Sequence, residues 1–315
     1  MPSTSQHLIR IVTRTSALAM WQAEYVRQQL IHHHNELDVK IIGIKTSGDL
    51  SQATNMPLYK IGGKSLFVKE LEEALLAEEA DIAVHSLKDV PAAFPPGLGL
   101  TAICERENPF DAWVCPQGFT IETLPSGAKV GTSSLRRMVQ LRALRPDLEY
   151  ASLRGNVDTR LRKCKAGEFD AIVLAAAGLK RLNLMSEVVS VFAPEVMLPA
   201  VGQGALGIEC RLNDDFTREK LSALNHTMTQ RCVEAERTMN AALGGNCQIP
   251  VAGFAEIKED KLFLRGKVGH PIQSLILTAQ GQADISDAVH LGHDVANQLI
   301  ADGAKEIIAE SLNHG

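Results

Sequence analysis

Lys129-Val130-Gly131-Thr132-Ser133-Ser134-Leu135-Arg136-Arg137 reads as a short strand, a glycine turn, a hydroxyl N-cap and the opening turn of a helix. The same strand-then-helix rhythm recurs on both sides of it. Residues 8–12 and 39–44 are apolar runs of buried-strand length, and Leu18, Trp21, Tyr25 and Leu30 form a helical stripe between them. A second helix is expected over 64–78, with Phe67, Leu71 and Leu75 on one face, followed by a strand at 82–84. Alternation of this kind predicts a mostly parallel sheet flanked by helices. Pro91, Pro95, Pro96, Gly97 and Gly99 then punctuate the chain as a domain exit.

The rhythm resumes in a second unit. It comprises strands at 113–114, 129–130, 148–151 and 171–174, with helices from 135 and over 157–166. Residues 206–209 read as a further strand. Beyond that the texture changes. A helical pattern over 231–243 stops at Gly244-Gly245-Asn246, three strands are expected at 251–257, 261–268 and 272–279, and a helix closes at 287–300. Clustered strands followed by a helix predict a small antiparallel α+β domain with a three-stranded sheet.

The chain has 315 residues, enough for two or three domains. Its formal charge is -5, yet seven arginines crowd between Gly131 and Arg162. Positive charge concentrated in an acidic protein points to a local anion rather than to nucleic acid, which favours a basic domain. No apolar run is long enough to span a bilayer, and the polar residues 1–7 lack the apolar core of a signal peptide, so a cytoplasmic location with no membrane partner is expected. No two of the six cysteines form a C-x-x-C pair, which weakens a zinc or iron–sulfur reading.

Thr132, Ser133 and Ser134 with Arg136 and Arg137 place hydroxyls and guanidinium forks at a helix start, where free N–H groups and the macrodipole favour an anion. Arg154, Asn156 and Arg160, around the Gly155-Asn156 turn, form a second such cradle on the same sheet, so a ligand with several negative groups is expected. Arg142, Arg145 and Arg162 read more plainly as a solvated helix face, paired to Asp147 or Glu149. Lys60-Ile61-Gly62-Gly63-Lys64-Ser65 has the wrong spacing for a nucleotide phosphate loop; a mobile basic loop and a simple turn both remain open. Asp89, in His85-Ser86-Leu87-Lys88-Asp89-Val90-Pro91, follows a strand, where functional groups of α/β sheets collect. It suits acid–base work or stabilisation of a cation, against the alternative of a surface pair with Lys88. Cys247 follows a glycine stop and suits a nucleophile or attachment point, whereas Cys104, Cys115, Cys164, Cys210 and Cys232 read as structural thiols. His32-His33-His34 are adjacent on a helix and share no face, so no metal is expected there.

Six stretches taken together resemble the porphobilinogen deaminase (hydroxymethylbilane synthase) family. They are residues 10–19, beginning Arg10-Ile11-Val12-Thr13-Arg14-Thr15-Ser16; residues 62–72, beginning Gly62-Gly63-Lys64-Ser65; residues 85–91, from His85 to Pro91; residues 131–137; residues 153–161; and Gly244-Gly245-Asn246-Cys247-Gln248-Ile249-Pro250. They span nearly the whole chain, in family order. Ser65 stands where the family pattern has glycine, and Asn246 separates the glycines from the cysteine; neither change removes a reactive group. The resemblance implies an α/β fold of two periplasmic-binding-protein-like lobes, at 1–104 plus 205–225 and at 105–204, with a C-terminal α+β domain at 226–315. It implies a monomeric transferase of haem biosynthesis that joins four porphobilinogen molecules into hydroxymethylbilane with loss of ammonia. The primer would be a dipyrromethane cofactor in thioether linkage to Cys247. Asp89 would be catalytic. Lys88, Thr132, Ser133, Ser134, Arg136, Arg137, Arg154 and Asn156 would hold the cofactor, and Arg14, Ser16, Lys60, Lys64, Arg160 and Arg181 the substrate. A non-catalytic binding protein for a polycarboxylate is the alternative.

Overall fold

A computed structural model describes residues 7–46, 68–245 and 249–313. The chain divides into two compact units, Met1–Arg106 with Ala205–Gln230, and Glu107–Gly204 with Arg231–Gly315. The region expected as a separate C-terminal domain thus shares the second unit, where it builds its own sheet.

In the first unit, strands β1 (His7–Arg14), β2 (Leu37–Ile44), β3 (Ile82–Ser86) and β4 (Leu98–Ile103) are joined by β10 (Leu206–Arg211) in the order β2-β1-β3-β10-β4. β1 runs parallel to β2 and β3, while β10 is antiparallel to β3 and β4. Helices α1 (Ala17–His33), α2 (Lys69–Leu76) and α6 (Asp215–Ser222) flank this sheet. Parallel strands are covered on both faces, which is why β1 reads as an almost continuous apolar run. Ile9 and Ile11 pack under Ala23, Val26 and Leu30 of α1, and Val12 packs on the other side with Leu71 and Leu75 of α2.

The second unit repeats this topology with β5 (Asp111–Val114), β6 (Lys129–Gly131), β7 (Glu149–Ala151), β8 (Ala171–Ala175) and β9 (Ser190–Val191), ordered β7-β6-β8-β5-β9. β6 is parallel to β7 and β8, and β5 is antiparallel to β8 and β9. Helices α3 (Leu135–Leu144), α4 (Val157–Lys165) and α5 (Ala176–Arg181) follow β6, β7 and β8. In each sheet, therefore, the fourth position belongs to an antiparallel strand from outside the parallel run.

The same unit holds an antiparallel meander, β11 (Val251–Lys258), β12 (Lys261–Gly269) and β13 (Ile276–Asp284), with helices α8 (Ala288–Ala301) and α9 (Ala304–Asn313) and, from Arg231 onward, α7 (Thr227–Ala242). Met239 and Leu243 meet Leu262, Leu264, Val268, Val295 and Leu299 in its core. Glu236 is buried there and accepts from Gly202 N at 2.7 Å and Ala255 N at 2.8 Å, tying α7 to the 199–204 segment and to β11.

Several elements depart from the sequence reading. The third strand of the meander begins at Ile276, not at residue 272. Pro271 has no N–H for a ladder, and the His270 ring nitrogen Nδ1 accepts from Ile272 N and Gln273 N, so the chain turns before it pairs. β4, β9, α5, α6 and α9 were not expected. Of the helix expected at 64–78, Lys69–Leu76 is helical and residues 64–67 lie outside the described residues.

Candidate functional site

In the first unit, β1 and β3 end side by side, and residues at and just past their carboxyl ends, with the start of α1, line one pocket. Its wall is formed by Thr13, Arg14, Ser16, Leu18, Ala19 and Gln22 from β1 and α1, Val68 before α2, and Val84, His85, Ser86 and Asp89 from β3 and the turn after it. The Ser16 side chain caps α1 by accepting from Ala19 N, so the first turn of a 17-residue helix opens at this pocket. Asp89 ends a 3-10 turn, Leu87–Asp89. Buried Leu87 anchors that turn, its N–H donating to Ala205 O at 3.1 Å. The Asp89 side chain is exposed to the pocket mouth. Gln22 is buried and donates to Ser86 Oγ at 2.8 Å, fixing the floor between α1 and β3. Arg14, Ser16 and Asp89, expected as site residues, are thus brought together. Gln22 and Thr13 were missed; both sit inside helix or strand patterns where sequence offers no reason to single them out.

In the second unit, β6 and β7 end in register, Gly131 beside Ala151. Their strand-to-helix turns therefore lie next to each other. Ser133 Oγ donates to Leu153 O at 2.7 Å and lies 3.0 Å from Ser152 Oγ, which ties the two turns together. Thr132 Oγ1 accepts from Ser134 N, Ser134 caps α3 through Arg137 N, and Asn156 caps α4 through Thr159 N at 2.9 Å. Gly155 has φ +114, and a Cβ there would meet Thr159 at 2.7 Å, so only glycine forms this turn. Arg160 Nε donates to Gly155 O at 2.7 Å, and Arg181 Nη2 to Gly204 O at 2.7 Å. The result is a rim of two adjacent capped helix starts with Arg154 and Arg160 beside them.

Arg136 and Arg137 behave differently from the expectation that they reach an anion at this rim. Both guanidinium groups turn inward. Arg136 Nη1 meets Asp111 Oδ2 at 2.7 Å and Leu198 O at 2.7 Å; Arg137 Nη2 meets Asp111 Oδ1 at 2.8 Å, and its Nη1 reaches Val173 O at 2.9 Å. Gln203 Nε2 donates to Asp111 as well. Burial alone would raise the Asp111 pKa, but the Arg136 and Arg137 charges overcome it and hold the carboxyl far below the usual range. Two guanidinium charges against one carboxylate leave an excess of one positive charge beneath the α3 N-terminus. Asp111→Ala would strand both cations in a dry interior. Unfolding in urea should show a loss of about 3–5 kcal/mol; a loss below about 1 kcal/mol would mean that the arginines relax to water.

The other charged candidates resolve as follows. Arg145 makes a two-pronged pair with Asp147, as expected of a solvated helix face, whereas Arg142 donates to Pro271 O and covers the Tyr150 ring instead of pairing with Glu149. His34 Nε2 donates to Lys220 O, and among the described residues no group of three or more His, Cys, Asp or Glu is placed to hold a metal. Also among the described residues, no helix is long and apolar enough to cross a membrane. The five described cysteines are buried free thiols. Lys60, Lys64 and Cys247 lie outside the described residues.

Among solved structures, the chain is similar to the periplasmic VFT2 domain of Bordetella pertussis BvgS, at 15% identity over 69% of this chain and 86% of that one, with a TM-score of 0.41. It is also similar to a TRAP periplasmic solute binding protein from Desulfovibrio salexigens, at 12% identity over 70% and 72% with a TM-score of 0.41. These likenesses are distant. The family matches are of another order. Residues 9–219 match the family model "Porphobilinogen deaminase, dipyromethane cofactor binding domain" and residues 230–301 match "Porphobilinogen deaminase, C-terminal domain". Both sites described above fall inside the first match, and the two matches leave little of the chain uncovered. The chain belongs to the porphobilinogen deaminase family, transferases of tetrapyrrole biosynthesis.

Proposed function

We propose that this protein joins four porphobilinogen molecules head to tail into hydroxymethylbilane, releasing ammonia at each addition, as a cytoplasmic monomer. Asp89 is its reactive carboxylate. The observation that carries this reading is the company Asp89 keeps: one pocket, at the carboxyl ends of two parallel strands, holds a carboxylate opposite Arg14 and the α1 N-terminus. Each addition breaks a C–N bond, and the departing ammonia leaves positive charge on the incoming pyrrole. A fixed carboxylate beside the pyrrole N–H stabilises that charge and can take up a proton. Arg14 and the α1 start supply donors to the acetate and propionate groups of the substrate, with Lys60, Lys64, Arg160 and Arg181 as further substrate cations.

The dipyrromethane cofactor, carried by thioether at Cys247, supplies the primer on which the pyrrole chain grows. The rim of the second unit fits its carboxylates: Thr132, Ser133, Ser134, Arg154 and Asn156 contribute hydroxyl, N–H and guanidinium donors. Lys88, in the first unit, is proposed as a further cofactor cation. Arg136 and Arg137 act on this rim from below, through the uncompensated charge they share. Mixing the purified protein with stoichiometric porphobilinogen and measuring ammonia tests the reading. Ammonia should appear within a single turnover. Tight binding of porphobilinogen without ammonia would replace the enzyme by a polycarboxylate-binding protein.

A further inference from the structure

Behind the Asp89 pocket, the proposed chemistry leaves three buried titratable groups unused. In the pairing of β10 with β3, Gly207 lies opposite His85 and Glu209 opposite Ala83. His85 and Glu209 therefore share one face of the sheet as diagonal neighbours. His85 Nε2 is 2.9 Å from Glu209 Oε2, and the two side chains are 4% and 1% exposed. Since a carboxylate only accepts, the ring donates through Nε2–H. The helix α2 packs on this same face, with Leu71 and Leu75 against Val12 and Ala83, and it brings Glu72 into the interior.

Glu209 Oε2 is satisfied by the imidazole. Glu209 Oε1 and Glu72 Oε1 are buried with no hydrogen-bond partner. An undonated carboxylate oxygen in a dry interior is costly, and two in one place compound the cost. The ionisable groups acting on Glu72 are Glu209 from β10, His85 from β3 and Glu73 from its own helix. β4 carries no ionisable side chain. On β1, Arg10 is engaged with Asp81 and Arg14 lines the pocket; on β10, Arg211 binds Leu75 O, Ala80 O and Asp81. The two lone oxygens sit on elements packed face to face, and both lack a donor. One proton makes a donor of one carboxyl and leaves the other its acceptor.

We infer that Glu72, Glu209 and His85 form a proton-sharing triad: Glu72, a neutral acid, donates to Glu209, which accepts from His85 Nε2–H and so fixes the imidazole in the wall of the Asp89 pocket. The three are positioning residues. Burial first, then the Glu209 charge, pushes the Glu72 carboxyl up to about 7, with His85 pulling it down and Glu73 adding to the rise. The triad is therefore intact in acid and loses its proton near neutrality, where two adjacent carboxylates repel and release the ring. Folding follows the same sign. A carboxyl raised in the folded state contributes stability below its unfolded pKa, and that stability is lost as pH rises through about 7.

This role in turnover rests on Asp89 being the reactive carboxylate, but the triad itself can be read without activity. The test compares wild type, Glu72→Gln and Glu72→Leu from about pH 5.5 to about pH 9. Gln keeps an N–H donor for Glu209 and has no proton to lose; Leu supplies no donor. Infrared spectra of the wild type should show a protonated-carboxyl band that vanishes on raising the pH and is missing from Glu72→Gln. Thermal unfolding of Glu72→Gln should lose the fall in stability that wild type shows as pH rises to about 7. In turnover, Glu72→Gln should stay within about threefold of wild type at low pH and lack its alkaline decline, while Glu72→Leu should lose about tenfold or more in kcat. No Glu72-dependent band, or Leu and Gln variants alike at every pH, would overturn the triad. A wild type that never releases ammonia but shows the band would sink the functional reading and leave the triad standing.

Discussion

Asp89→Asn should keep the covalent cofactor and lose nearly all turnover, with kcat down about 10²–10³-fold and KM changed far less. The substitution keeps the shape and hydrogen-bonding reach of the side chain and removes one charge. The backbone that presents it is fixed independently, by Leu87 buried in the core and bonded to Ala205 O, so the 3-10 turn should survive. Asp89 is exposed at the mouth of its pocket, which makes a folding defect an unsuitable explanation for lost activity. In the proposed reaction, ground-state binding falls to cations and helix-start donors, namely Arg14 and the α1 N-terminus capped by Ser16, and neither is touched. What disappears is the carboxylate charge, whose value is greatest when the departing ammonia leaves a cationic pyrrole. The effect therefore belongs in kcat. Steady-state kinetics and intact mass on one preparation check both halves. Normal turnover would remove Asp89 from the chemistry, and an equal loss through KM alone would make it a binding group.

How much of this was readable beforehand follows from which forces were local. The strand-turn-helix units were legible because parallel strands buried on both faces leave apolar runs, and because Ser134 and Asn156 sit where helix starts need side-chain acceptors. The placement of Asp89 after β3 was legible for the same reason. The orientation of Arg136 and Arg137 was not, because the face α3 turns inward is chosen by its packing on the sheet. The deciding partner, Asp111, lies 25 and 26 residues away in β5. A signal existed: an aspartate opening the run Asp111-Ala112-Trp113-Val114 is a charge inside a buried strand. Glu209 in Leu206-Gly207-Ile208-Glu209-Cys210 is the same anomaly, and it marks the acidic cluster behind the Asp89 pocket. A lone carboxylate in an apolar strand calls for a long-range partner, though sequence alone does not say which one. β4 was hidden by Pro95-Pro96-Gly97, which ends one residue before the strand begins.

Cys247→Ser should yield folded protein whose denatured mass lacks the excess of two linked pyrrole units that wild type carries, and whose turnover falls more than about a thousandfold. A thioether needs a sulfur nucleophile, and a serine hydroxyl at neutral pH is no substitute. The competing thiols are poorly suited. Cys104, Cys115, Cys164, Cys210 and Cys232 are buried. Burial, aided by Cys115 and Asp170 nearby, pushes Cys164 up to about 12, and burial raises Cys210 as well. The described chain on either side of Cys247 is anchored: Gly245 N donates to Asn240 O at 2.7 Å at the end of α7, and Pro250 O accepts from Gly269 N at 3.1 Å beside β12. Gly244 takes φ +83 to end the helix, a conformation that favours glycine. Replacing one sulfur by oxygen between such anchors should leave the fold unchanged, so circular dichroism should match wild type while the mass does not. A covalent excess that persists in Cys247→Ser would move the attachment point elsewhere. If the wild type too lacks the excess, even after incubation with porphobilinogen, the primer and with it the polymerising reaction fall together, and the two sites revert to binding a polycarboxylate without transforming it.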